Sequence, residues 1–357
     1  MDITAIQFFL QQALIMHEYN LLKIAGAALI GYITVRGLKA ISLQFDQIPK
    51  DISKVVIPSS IEKKYNDIDY NQIKDLKFND EINRFIHILK ESFAEEHLTN
   101  LYNNINSVKI NDRTKNIIPS IISIDASGVY NYFNNTITIY DDDFSVIIYH
   151  ELFHLASYKE DENNRYNGFC QFGKSATADS IGKGLNEGYT EVLANRYFPG
   201  ENNENIADAY IYLKLIAKKV EEIIGKETME GLYLDASLGG LVNELKKYST
   251  DKEIMQFIAD TDFINKNMHL DRINHTVKIM LDKCISRINR FLIVCYANKA
   301  KAMVNRNELN KEELNYKINE FVSTLASKIT TGNYKYKLMS DDNIKDYINE
   351  SLELKKR

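Results

Sequence analysis

Five consecutive residues, His150-Glu151-Leu152-Phe153-His154, have the types and spacing that metal-assisted hydrolysis needs. An α-helix turns about 100° per residue, so positions i and i+4 lie only about 40° apart around its axis. The imidazoles of His150 and His154 would leave one face and meet one metal ion. Glu151, directly after the first histidine, could reach a water on that ion without ligating it. A carboxylate so placed can take the proton of an attacking water and pass it to a leaving group.

Chance is a poor explanation. The chain has 7 His in 357 residues, and composition alone would put two of them in this frame in about 1% of such chains. Around the motif, Val146, Ile147, Ile148, Leu152, Phe153 and Leu155 recur at helical spacing. Asp141, Asp142 and Asp143 stand where capping residues belong. Two His and a Glu inside so apolar a helix are costly to bury unless something coordinates or pairs with them. That cost outweighs the plainer reading, an amphipathic helix with satisfied core histidines.

A catalytic zinc takes three protein ligands and keeps one position for water. A second helical pattern opens at Gly184-Leu185-Asn186-Glu187-Gly188-Tyr189-Thr190-Glu191 and runs on through Val192, Leu193, Arg196 and Tyr197. Glu187 and Glu191 are again i and i+4, so both can face the metal. One could ligate, while the other accepts the distal N–H of a ligating His and fixes its tautomer. Without the His motif the pair would read as a solvated acidic face. Spacing does not choose between the two carboxylates.

Together the two segments resemble the gluzincins, HExxH zinc metallopeptidases whose third ligand is a Glu on a second helix. Leu185-Asn186-Glu187-Gly188 is similar to the third-ligand motif of the large zinc aminopeptidases. Thermolysin-like enzymes share the Asn-Glu start, with an acid four residues later. The resemblance covers about residues 129–198. It implies Glu187 as third ligand, Glu191 as the acceptor that orients His150, and one zinc ion per chain. It also implies an α+β fold, in which a zincin-like mixed α/β half with a small sheet and the metal helix precedes a mostly helical half. One departure is the separation of 33 positions from His154 to Glu187, longer than in those groups, which leaves subfamily and substrate pocket open. Within it, residues 159–165 read as a polar surface loop and residues 168–173 as a short strand.

Upstream, residues 121–125 read as a strand, and residues 129–133 and 136–140 flank Asn134-Asn135 as a hairpin. In the family, the strand before the metal helix is an exposed edge that holds an extended peptide by main-chain hydrogen bonds, as in strand addition.

The length suggests two domains, or one with extensions. The reading is a hydrophobic helical segment at 1–45, a linker or arm at 46–79, a zincin-like catalytic domain at 80–200 and a helical domain at 201–357. A net charge of −5 and a pI near 5.9, without a basic cluster, argue against nucleic acid as a partner. Three Cys with no CxxC pair fit a reducing compartment, hence the cytoplasm. Residues 24–35 are uncharged, but as a helix they span about 18 Å of a ~30 Å bilayer core. A packed or membrane-surface helix and, with Lys23 snorkelling, a true span are both open. In the second case Arg36 and Lys39 would keep the rest on the cytoplasmic side. Beyond Phe198, helical patterns cover residues 205–224, 228–247, 270–304, 311–329 and 341–354, with Gly225 as a C-cap.

The expected reaction is zinc-dependent hydrolysis of a peptide or protein substrate with Glu151 as base. The family adds a His or Tyr donor for the oxyanion; His269, His275, Tyr189, Tyr210 and Tyr233 are candidates, and the sequence singles out none. His17, His87 and His97 read as structural or exposed. Two other readings compete: a zincin-fold binding or regulatory protein with weak or no proteolysis, and a membrane-tethered structural protein with an accidental motif. The oligomeric state is not indicated.

Overall fold

Short apolar-faced helices lead into the first sheet. The computed structural model describes residues 68–74, 76, 78–112, 127–140, 144–173, 180–199, 210–267, 275–325, 328–331 and 334–337. α1 (Tyr70–Lys74), α2 (Asn79–Ser92) and α3 (Thr99–Ile105) turn Ile73, then Ile82, Phe85, Ile86 and Leu89, then Leu101 and Ile105 inward. In α2 and α3 that recurrence every three or four residues makes one buried stripe.

A three-stranded sheet follows, β1 (Lys109–Asp112), β2 (Gly128–Asn131) and β3 (Thr136–Ile139), in the order β1-β3-β2. β2 and β3 form the expected antiparallel hairpin with Val129 opposite Thr138. Its turn places Asn135 at φ 49°, a left-handed conformation that Asn tolerates. The Tyr130 hydroxyl donates to Asn135 Oδ1 at 3.0 Å. β3 pairs on both sides, parallel to β1 and antiparallel to β2. The strand leading into the His150 helix is therefore central, not the edge that the resemblance implies. Among the described residues, the edges are β1 and β2.

Helix α4 (Phe144–Ala156) carries the His motif. Ile148, Tyr149, Leu152, Phe153, Leu155 and Ala156 are all buried. Phe153 meets the Phe85 ring edge-on at 5.0 Å, and Tyr149 stacks on Phe198. These contacts fix the roll of the helix and so the direction of its other face. At its C-terminus, Asn104 donates to the Leu155 carbonyl at 2.9 Å, satisfying a group the helix leaves open, and to the Tyr158 carbonyl just beyond it at 2.7 Å.

The long connection after His154 is a second sheet: β4 (Tyr158–Glu160), β5 (Asn164–Asn167), β6 (Cys170–Gly173) and β7 (Ser180–Ile181), antiparallel in chain order. The polar run expected as a surface loop is strand, turn and strand. The Asp161 carboxylate accepts from the N–H groups of Asn163 and Asn164, both at 2.8 Å. This Asx turn closes the hairpin from within a charged segment.

α5 (Lys183–Tyr197) packs against α4, against α6 (Ile211–Ile224) and against α9 (Asp251–Asn267), and is buried along most of its length. α7 (Lys226–Leu234) and α8 (Leu238–Leu245) stand where one helix was expected. Ala236 at φ 49° breaks the run, and Ser237 restarts it by accepting from the Gly240 N–H at 3.1 Å. Gly225 ends α6 at φ 101°. α9 (Asp251–Asn267) was not legible as a helix from the pattern, and α10 (His275–Asn305) was. α11 (Lys311–Leu325) ends before the expected residue 329, because β8 (Lys328–Thr331) and β9 (Tyr334–Lys337) pair there. The architecture is α+β, mostly helical with small sheets. Residues 1–67, the strand at 121–125, Asp141 to Asp143, His269 and the helix at 341–354 lie outside the described residues. Among the described ones, no helix is long and apolar enough to cross a membrane.

Candidate metal centre

α4 and α5 bring His150, His154 and Glu187 together. His150 Nε2 and His154 Nε2 are 3.1 Å apart, and Glu187 Oε2 is 3.5 Å from the first and 3.4 Å from the second. A tetrahedral ion with bonds of about 2.0–2.1 Å separates its ligand atoms by about 3.3–3.4 Å. The triangle therefore has the edge lengths of three corners of such a site, and it is compatible with a single metal ion.

The atoms behind the triangle explain why it is built of lone pairs. His150 Nδ1 lies 3.2 Å from Glu191 Oε2, and His154 Nδ1 lies 2.8 Å from Asn167 Oδ1. With acceptors on both Nδ1 atoms, each neutral ring carries its proton there and turns an unprotonated Nε2 inward. Two imidazole lone pairs and a carboxylate then converge, which is stable only around positive charge. Burial pushes the His150 imidazolium down, but hydrogen bonds to Glu187 and Glu191 outweigh it and carry its pKa up to about 10. Burial acts against ionised Glu187 too, yet His154 and His150 hold it well below the usual carboxylate range. Both shifts say that the local field favours a cation.

The two carboxylates of α5 separate by position. Glu187 addresses the Nε2 side of both rings, whereas Glu191 sits on the Nδ1 side of His150 and receives Asn195 Nδ2 on its other oxygen. Next to Glu187, a Cβ on Gly188 would lie 2.3 Å from the Leu213 carbonyl oxygen. Only glycine lets α6 approach so closely there.

Glu151 is buried and accepts from the Tyr130 backbone N–H. An edge strand thus meets the carboxylate that the sequence marks as a base. Burial raises its pKa above the usual range, while His150 and His154 pull it back. Among the oxyanion-donor candidates, Tyr189 donates to Glu221 at 2.7 Å, Tyr233 shares a hydrogen bond with Thr190, and His275 is exposed at the start of α10. Tyr210 is at the site: its ring stacks on His150 with centroids 5.9 Å apart. The charge of Glu187, then burial and the charges of Glu151 and Glu191, push its pKa well above the ordinary value, so it stays a donor.

His87 faces Glu91 at the surface, and His97 bonds Asp235 at 3.0 Å, both apart from the centre. Sequence reasoning gave no role to Asn167, to the Asn186 side chain, to the Tyr130 N–H or to Asp262. Asp262 accepts from the N–H groups of Gly182 and Gly184, each at 2.8 Å, and so caps α5. The Asn167-Gly168 pair was the one available signal, since that dipeptide marks a hairpin turn. Comparison with protein-family models, with curated proteins and with solved structures gave no match in any of the three.

Proposed function

We propose that the chain is a zinc-dependent hydrolase of peptide bonds with a zincin-like arrangement of α4 and α5. The observation that carries this reading is the triangle of His150, His154 and Glu187, whose edges suit tetrahedral zinc, with Glu151 beside it but bonded elsewhere. Two N and one O ligand with a position left over is the donor set of catalytic rather than structural zinc sites. Zinc, when bound, supplies a Lewis acid and a water of lowered pKa.

The chain's own groups do the rest. Glu151 takes the proton of the attacking water and delivers it to the departing amine. Its buried carboxylate, held by the Tyr130 N–H, is placed for this in advance. Glu191 and Asn167 keep the two imidazoles turned. Tyr210, protonated at neutral pH, is the donor assigned to the carbonyl oxygen of the substrate.

The test is hydrolysis of unstructured protein substrates by native chain, by chelator-treated chain and by Glu151→Gln. Native chain should cleave and lose cleavage with the metal. Glu151→Gln should keep zinc and lose about 10²–10⁴-fold in rate. Full activity of Glu151→Gln would remove Glu151 from its role. A native chain that holds zinc and cleaves nothing would leave a binding protein on the same scaffold.

A further inference from the structure

We infer that Asn167 sets which nitrogen of His154 carries the proton, through a relay whose direction is dictated by two backbone groups. The inference rests on the metal reading above, and adds to it a positioning residue from the second sheet.

An amide can be turned over, which would aim nitrogen rather than oxygen at the ring. Here it cannot. The His154 carbonyl, which only accepts, lies 2.6 Å from Asn167 Nδ2, so that atom is the NH₂ and Oδ1 faces the imidazole. The second constraint starts at the other end. The Phe169 N–H donates to Asn186 Oδ1 at 3.0 Å, which turns the Asn186 NH₂ toward Asn167 Oδ1, also at 3.0 Å. Asn167 thus receives a hydrogen bond from Asn186 and offers His154 Nδ1, 2.8 Å away, nothing but a lone pair. The proton belongs on Nδ1, and Nε2 is left bare toward the metal position.

The relay is buried: Asn167 is 6% exposed and Asn186 2%. Reversing any member would strand polar atoms away from water. The turn itself is shaped for it. Gly168 sits at φ +52°, and a Cβ there would lie 2.2 Å from Asn186 Oδ1. Asn186, beside Glu187 in sequence, is 3.4 Å from His154 Nδ1 and works through Asn167. The insertion between the ligands therefore completes the centre rather than decorating it.

Nitrogen NMR of ¹⁵N-histidine-labelled full chain reads the claim directly. His154 Nδ1 should carry a proton in the metal-free and in the zinc-loaded protein; an unprotonated Nδ1 in folded native chain overturns the relay, whatever any variant does. Asn167→Leu should lose that proton signature and about 10–100-fold in zinc affinity. Asn167→Asp still accepts from Nδ1–H but, unless protonated, offers the His154 carbonyl no donor, so it should keep the proton signature and lose less zinc affinity than Asn167→Leu. Unchanged zinc affinity in Asn167→Leu, or equal losses in both variants, would reduce Asn167 to packing and overturn the proposal. Native chain that takes up no zinc would refute the metal reading instead, with the Nδ1 proton still measurable on its own.

Discussion

Helix α5 carries two buried polar clusters, and they are built on opposite principles. Toward its C-terminus, Arg196 lies 2.6 Å from Glu221 and 2.6 Å from Glu230. The Tyr189 and Tyr197 hydroxyls donate to the same two carboxylates at 2.7 and 2.8 Å. Donors there meet acceptors within the protein. Two turns earlier, Glu187 meets the Nε2 atoms of two imidazoles whose Nδ1 donors are engaged behind them, so only a proton or a metal cation supplies the missing partner. Burial and perturbed ionisation are common to both clusters. Convergent lone pairs with committed donors are particular to the second, and that is the feature that asks for an ion.

Substitutions can break or sharpen this contrast. The largest effect is expected from Glu187→Ala, which should take zinc from about one per chain to near none by elemental analysis, with circular dichroism unchanged. The counterpart, Arg196→Met, removes the cation between Glu221 and Glu230 and leaves them to their tyrosine donors and to Lys226. It should cost about 1–3 kcal/mol in urea unfolding while the folded protein still binds one zinc. Loss of zinc from folded Arg196→Met would mean the two clusters are one. A smaller effect belongs to Glu191→Ala, expected to weaken zinc by about 10–100-fold in chelator competition without abolishing it. Should Glu191→Ala release zinc where Glu187→Ala retains it, the ligand order is reversed.

The smallest effect concerns the cap that starts α5. Burial pushes the Asp262 carboxyl up from 3.8 to about 7, against the Gly184 and Gly182 N–H groups that pull it down. Between those pH values the folded chain holds a proton that the unfolded chain has released. The stability this gives is full below about pH 4 and is lost as pH rises through about 7. Asp262→Asn should flatten the fall of the thermal midpoint across that window; an unchanged slope would show that the carboxyl titrates as an ordinary one.

The two clusters also show what could be read in advance. His150, Glu151 and His154 were legible because one helix supplies them at a fixed angular offset, and Glu187 with Glu191 because a second helix repeats the trick. Asn167 was not. Its role depends on β5 folding back over the C-terminal end of α4, and the charged run around it reads as loop until the Asp161 turn is seen. The same limit hid α9, whose buried residues include Asp260 and Thr261. It also hid the break at Ala236, where a left-handed residue without glycine gives no signal. The central place of β3 depends on a parallel partner far back in the chain, β1, and hairpin signals say nothing of that.

Zinc K-edge X-ray absorption of the native chain, with Glu187→Ala alongside, tests the central claim most directly. The account expects about one zinc per chain in the native protein, with two imidazoles and light oxygen ligands at about 2.0–2.1 Å, and no ordered site in the variant. Native protein without zinc, or with zinc that shows no imidazole scattering, would contradict it.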